Sequence, residues 1–407
     1  MGLGHSHGHR AGGAPDLEVG RRSRVVVVVL LVLAAAVTVA GLVALWPGGD
    51  RPVLETAPEG SSYSEVTVTD VELLADSASG PVLLADDADG EQIMVQVAPE
   101  YLDVVEAGDR IRVLNLPVAE GVAAPYVFVD LVRGPPMALL AAVMGVLVLV
   151  VARLRGLGAI AGLVVSVGGV LWFTVPALVE GRPALPVALV TASALMFVLL
   201  YLAHGVSVRT STALLGTLGG LVATAGLAAW ATGATHLNFL GGEYAMDLRS
   251  LAPEADLRGI LLCGIVLAGL GVLNDVTITQ VSAVWELRAA SPASTRRDLF
   301  RGGMRIGRDH IASTVYTVAF AYLGAALPLV ILVAMSDRTL LDTLTSGEIA
   351  EEVVRTMVGS IGLVLAIPLT TAIAALLVPA AEPTASPASP EPSTPSAPGP
   401  VADPATP

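Results

Sequence analysis

Long apolar runs separated by short polar breaks dominate the chain. Windows over 25–46, 137–152, 157–179, 184–203, 211–232, 259–285, 311–334 and 357–378 are almost wholly apolar. A helix needs about 20 such residues to cross the hydrocarbon layer, so the pattern predicts about eight transmembrane helices. The first run, "VVVVVLLVLAAAVTVAGLVALW", follows Arg21, Arg22 and Arg24 and leads into "WPGGD". It is too long for a signal peptide and has no small-residue cleavage site, so it reads as an uncleaved anchor.

Between the first two runs the period changes. Residues 50–133 contain "SEVTVTDVELL", "PVLLAD", "EQIMVQVA", "DRIRVLNL" and "YVFVDLV", short segments bounded by Gly, Pro or Asp. These are strand signals. "DDADGE" places Asp89-Gly90 between two of them and predicts a type I′ hairpin turn, and "AGDR" predicts another turn. Five strands in this length predict a small OB-like β-barrel. The expected fold is therefore an α-helical polytopic membrane protein with a β-rich domain between its first and second helices, and a seven-helix unit over 137–378.

The ends carry no such pattern. Residues 1–24 are Gly-rich and close on a basic cluster, and 380–407 alternate Pro with Ala, Ser and Thr. Both are expected to be disordered tails. "MGLGHS" matches a myristoylation pattern, but a spanning helix already anchors the chain. His5, His7 and His9 match no closed metal site. Residues 336–356 carry Leu340, Leu341, Leu344 and Ile349, which predict an amphipathic helix at the membrane surface.

Composition adds to this picture. Of 407 residues 54% are hydrophobic and 14% charged, which excludes an ordinary soluble protein. The net charge of −14 sits mainly in residues 50–136, with 17 Asp/Glu against four Arg. All basic residues are Arg, and their distribution sets the orientation. With the N-terminus inside, 13 fall on the inner side, six of them between Arg288 and Arg308. The short outer loops hold only Arg182, Arg249, Arg258, Arg338 and Arg355. The positive-inside rule then places both termini in the cytoplasm and residues 50–133 on the outer side of the membrane. The single cysteine, Cys263, excludes an intrachain disulfide and a Cys-based metal site and is expected to be a small buried apolar residue.

The sixth span breaks its own pattern. "GVLNDVTITQVSAVWEL" places Asn274, Asp275, Thr277, Thr279, Gln280 and Ser282 within nine positions. Asp275, Thr279, Ser282 and Glu286 fall on one helical stripe. Asp275 lies ~25 Å from Arg258 along a helix, in the inner half of the bilayer. The helix either tilts, protrudes or breaks near Gly269, Gly271 and Asn274. An intramembrane carboxylate is costly and points to a binding or proton-relay site; the bland alternative is a hydrogen-bonded hub between helices. Two further polar clusters share this side. "YLAHGVSVRTST" carries His204 and Arg209. "RIGRDHIASTVYT" carries Asp309 and His310, with Ser313, Thr314 and Thr317 on the same face as His310. These residues are expected to gather round one polar cavity open to the cytoplasm.

"LNDVTITQVSAVWEL", "RIGRDHIASTVYT" and "YLAHGVSVRTSTALLGTLGG" resemble the signature segments of the YibE/F-like family of bacterial membrane proteins. The resemblance runs from the first span to the eighth, excluding the tails. It implies a polytopic membrane protein with an extracytoplasmic domain and no established reaction. The chain has no GxxxxGK(S/T), HExxH or GxSxG. No metal, cofactor or nucleic acid is expected, and no enzymatic activity. The reading is a permease or channel-like transporter of a small solute or ion, in contact with membrane lipids; the alternative is a non-transporting scaffold recruiting partners through its outer domain.

Overall fold

The computed structural model describes residues 20–49, 57–71, 81–117, 126–239, 245–335, 337 and 339–378. Both tails, including His5, His7 and His9, lie outside the described residues.

An apolar helix α1 (Arg21–Ala44) precedes five strands, β1 (Ser62–Asp70), β2 (Val82–Asp86), β3 (Gln92–Gln96), β4 (Arg110–Asn115) and β5 (Tyr126–Leu131). They close a barrel in the order β1-β2-β3-β5-β4, with β4 returning to β1. All pairs are antiparallel except β3 with β5. Alternate residues point inward, as the pleat requires, and Val66, Val68, Leu83, Ala85, Val95, Ile111, Val113 and Phe128 fill the interior. The β2–β3 turn differs from expectation. Only Gly90 has positive φ, at 79°, whereas a type I′ turn needs two such residues. The Asp87 carboxylate instead accepts from the N–H groups of Asp89 and Glu91 at 2.9 Å each, and Gly90 closes the turn.

The remaining helices are α2 (Gly134–Ala152), α3 (Leu154–Gly169), α4 (Val175–Val179), α5 (Ala184–His204), α6 (Val208–Ala234), α7 (Ala245–Leu251) and α8 (Leu257–Ala290). They are followed by α9 (Arg296–Ala325), α10 (Leu327–Ala334), α11 (Leu340–Leu344) and α12 (Gly347–Leu377). A π-helical turn, Val170–Thr174, joins α3 to α4. Among the described residues seven helices are long and apolar enough to cross a membrane; an eighth is reached if α9 and α10, bent by 70°, count as one span. This is the architecture of a polytopic membrane protein.

Two expectations are corrected. The span over 311–334 is not one straight helix. Its helix begins at Arg296, where Thr295 and Asp298 form a reciprocal capping box, and bends before Pro328, which has no N–H to continue the ladder. The segment 336–356 is not one amphipathic helix: α11 has only five residues, and from Gly347 the chain is already α12. Of the alternatives open for the sixth span, the break near Asn274 does not occur: α8 runs 34 residues continuously.

The helices pack round α6, α8 and α12. Small residues allow this. Gly216 of α6 lies against Thr370 of α12, Gly220 against Ala366 and Leu273, and Gly362 of α12 against Thr224. Close backbone approach of this kind drives association where lipid and side chains are equally apolar. Cys263 is buried in the resulting core. On the other side α9 rests on α8 and α12 through Gly303 and Gly307.

Candidate functional site

The polar residues of α8 divide between two faces. Thr277 and Gln280 are buried. The Thr277 hydroxyl is 2.6 Å from that of Thr217 on α6, and Gln280 Oε1 accepts from Thr371 Oγ1 on α12 at 3.0 Å. The hydroxyls of Thr279 and Ser282 donate to the carbonyls of Asp275 and Ile278, one turn back. These bonds satisfy the side chains without breaking the helix, which is why α8 stays continuous.

Asp275, Thr279 and Glu286 face outward. The Asp275 side chain is 67% exposed, and its Oδ2 lies 3.7 Å from Nε2 of His310 on α9. That separation exceeds a direct hydrogen bond but permits a charge contact. His310 Nε2 is itself shielded and has no hydrogen-bond partner. Two turns further on, Arg209 at the start of α6 donates from Nε to Ser282 Oγ at 3.1 Å, and its Nη1 is 3.9 Å from Glu286 Oε1. His204, at the end of α5, lies within electrostatic range of Arg209 and Arg155.

The expected cluster therefore forms two groups about 10 Å apart along α8, at 1.5 Å per residue. Asp275 pairs with His310; Arg209 holds Ser282 and Glu286, with His204 nearby. Asp309 and Ser313 are exposed and Thr314 is half-buried, all on α9, and Asp309 makes no ion pair among the described residues. With Asp275 this exposed, the residues lie along an open face. A groove of about 400 Å³ adjoins that face, lined by Ser166, Val170, Met196, Leu270, Gly271 and Asn274 among others. Asn274 Oδ1 there is shielded and unpartnered.

Thr217 and Thr371 carry part of this arrangement and do not stand out in the sequence. Hydroxyls in the apolar runs "GTLGG" and "LTTAI" were the available signal. Pro368 precedes Thr370 and Thr371 inside α12 and deprives one carbonyl of its helical donor. Among the described residues no three His, Cys, Asp or Glu side chains come close enough to hold a metal ion.

A family model described as YibE/F-like protein matches residues 140–380. The match begins within α2 and leaves α1 and the barrel outside, so it covers less of the chain than the sequence resemblance, which includes both. Comparison with curated proteins and with solved structures gave no match. The matched region holds α5, α6, α8, α9 and α12, hence every residue of the two polar groups, and it spans more than half of the 407 residues. The chain belongs to the YibE/F-like family.

Proposed function

We propose that this chain is a bacterial plasma-membrane permease or channel-like transporter of a small solute or ion, and not an enzyme. Both termini lie in the cytoplasm in this reading, and the barrel lies outside. The carrying observation is the exposed Asp275, paired at 3.7 Å with the half-buried His310 on the α8–α9 face. A carboxylate at membrane depth is costly and is retained where it meets water, a substrate or a proton. A packing hub would be the bland account. The hub role, however, falls to the opposite face of α8, where Thr277 and Gln280 bond α6 and α12. Asp275 makes no bond of that kind and is free to serve a path. The second polar group, Arg209 with Ser282 and Glu286, lies on the cytoplasmic side of it and fits the mouth of the same path. Pro368 in α12 and the bend between α9 and α10 supply places where the surrounding helices can move.

The test uses the purified full chain in liposomes, with pH- and cation-sensitive dyes inside. Imposed gradients of protons, sodium, potassium, magnesium and phosphate are followed in turn. Wild-type protein should collapse at least one gradient faster than protein-free vesicles, and Asp275→Asn should abolish this while still inserting normally. If no gradient distinguishes the protein from empty vesicles, transport is lost as the reading and the scaffold alternative takes its place.

A further inference from the structure

The outward face of α9 is the least expected surface of the molecule. Gly307 packs on Ile367 and Gln280, and Gly303 on Thr371 and Val284. Ile367 lies about 15 Å short of the end of α12, at 1.5 Å per residue. The residues beside Gly307 therefore flank the apolar part of α12, toward the inner edge of the membrane in the proposed orientation. Yet Arg305, Arg308 and Asp309 there are all exposed. Arginine can snorkel toward the surface, but an aspartate is too short, and hydrocarbon is no solvent for it. Further along the same helix Tyr316 and Phe320 are 64% and 71% exposed. Water suits the charged half of this face and not the aromatic half; lipid suits the aromatic half and not the charged one.

We infer that a second copy of this chain covers the α9 face, giving a two-fold dimer whose axis runs along the membrane normal. The face is self-complementary. Arg305, Asp309, Ala312, Tyr316 and Phe320 recur every three or four residues and so share one stripe. A two-fold axis along the normal sets two α9 helices parallel, and each level then meets itself. Arg305 reaches the partner's Asp309, one turn on, and the partner's Arg305 reaches Asp309, so the pair forms twice. Ala312 and Ser313 are small enough to let the backbones approach. Tyr316 and Phe320 then pack against their own copies. Asp275 and His310 lie beside this stripe, so the second copy also supplies one wall of the open face they occupy. The inference rests on the exposure of α9 and not on transport.

The test is cross-linking of the full chain in native membranes. In a Cys263→Ala background, Ala312→Cys and Ser313→Cys should oxidise to a band of twice the chain mass. Leu140→Cys on α2, 70% exposed, should not. Asp309→Arg should lower the Ala312→Cys cross-link at least about tenfold, as loss of a buried charge pair does, and Asp309→Asn should lower it less. Adding Arg305→Asp to Asp309→Arg restores opposite charges in a self-pairing chain and should recover the band. The dimer is overturned if Ala312→Cys links no better than Leu140→Cys, if it links to a different protein, or if the charge swap fails to rescue. Flux measured on the same variants separates this outcome from the fate of the transport reading, since a dimer without flux removes only the latter.

Discussion

Replacing Gly307 by alanine probes the contact that positions the candidate site. A methyl group there would stand 2.6 Å from Ile367 Cγ2 and 3.0 Å from Gln280 Nε2. Neither neighbour can retreat easily, because Ile367 is fully buried and Gln280 is bonded to Thr371. Overpacking of this kind costs about 1–3 kcal/mol. Displacing Gln280 adds about 0.6–1.7 kcal/mol if its interhelical bond is lost. Against this, alanine gains about 1 kcal/mol over glycine in a helix interior. The balance is a destabilisation near 2 kcal/mol, on the order of 4–8 °C in melting temperature for a unit of this size. Gly264 of α8 is the control, since nothing lies within 4 Å of a methyl built there. Its replacement by alanine should keep the helix gain and raise the melting point by about 2–4 °C. The assay is tryptophan fluorescence of the detergent-solubilised chain on heating, with Trp285, buried beside α9 and α12, as reporter. Melting points for Gly307→Ala and Gly264→Ala within about 2 °C of each other would refute the packing of α9 on α8 and α12.

Three further outcomes are expected. The Glu180 carboxylate is held below the usual carboxylate range, chiefly by the N–H of Gly49 at 2.8 Å, against some desolvation, then by the N–H of Gly48 and by Arg182. A lowered folded value makes its contribution complete above the unfolded value of about 4.3 and lost as pH falls through the folded one. Glu180→Gln should therefore melt below wild type at neutral pH and converge on it in acid; a gap that grows in acid would reverse the sign. Residues 57–133, excised, should give a β-type circular dichroism spectrum and a cooperative melt, because the barrel closes on its own apolar interior; a disordered spectrum would contradict this. In a Cys263→Ala background, Asp89→Cys should react with an impermeant maleimide in intact cells and Ser294→Cys only after permeabilisation; the opposite result would invert the topology.

Much of the fold could be read from period alone. The strand segments match β1–β5 to within a few residues because the barrel's inside and outside alternate along β1 and β4, at Val66 and Val68 or Ile111 and Val113. The turn type could not be read, since "DDADGE" suits either an Asp-Gly hairpin or an Asp87 side-chain cap, and the cap formed. The start of α9 was missed for a different reason. Hydropathy averages over every face, and the arginines from Arg296 to Arg308 outweigh the narrow strip of Leu299, Gly303 and Gly307 that packs. The capping pair in "TRRD" was the readable signal. At the site, the pairing of Asp275 with His310 is an interhelical contact that spacing along one helix leaves open, and only the stripe through Asp275 follows from helical spacing. The roles of Thr217 and Thr371 do not, because a hydroxyl can satisfy itself on its own helix at any position.

The two surfaces assigned to α9 are compatible because they lie on different sides of it. Successive residues advance about 100° round a helix, so Asp309 and His310 point in clearly different directions although they are neighbours. His310 turns toward α8 and meets Asp275. Asp309 turns outward with Arg305, away from the glycines that seat the helix. A partner docked on the outward stripe therefore leaves the Asp275–His310 side open to water. It also removes the need for lipid to solvate either carboxylate. That division fits the way α9 is attached: glycine contacts on one flank and the 3.7 Å Asp275–His310 charge contact beside them, whereas α6, α8 and α12 are joined by hydroxyl and amide pairs. A helix held by glycine packing and one long charge contact can shift against a hydrogen-bonded trio at lower cost than any member of the trio can shift against the others. If one element moves as the Asp275 face opens and closes, the physics of these contacts selects α9, and a partner gripping its outer stripe would then carry that motion from one copy to the other.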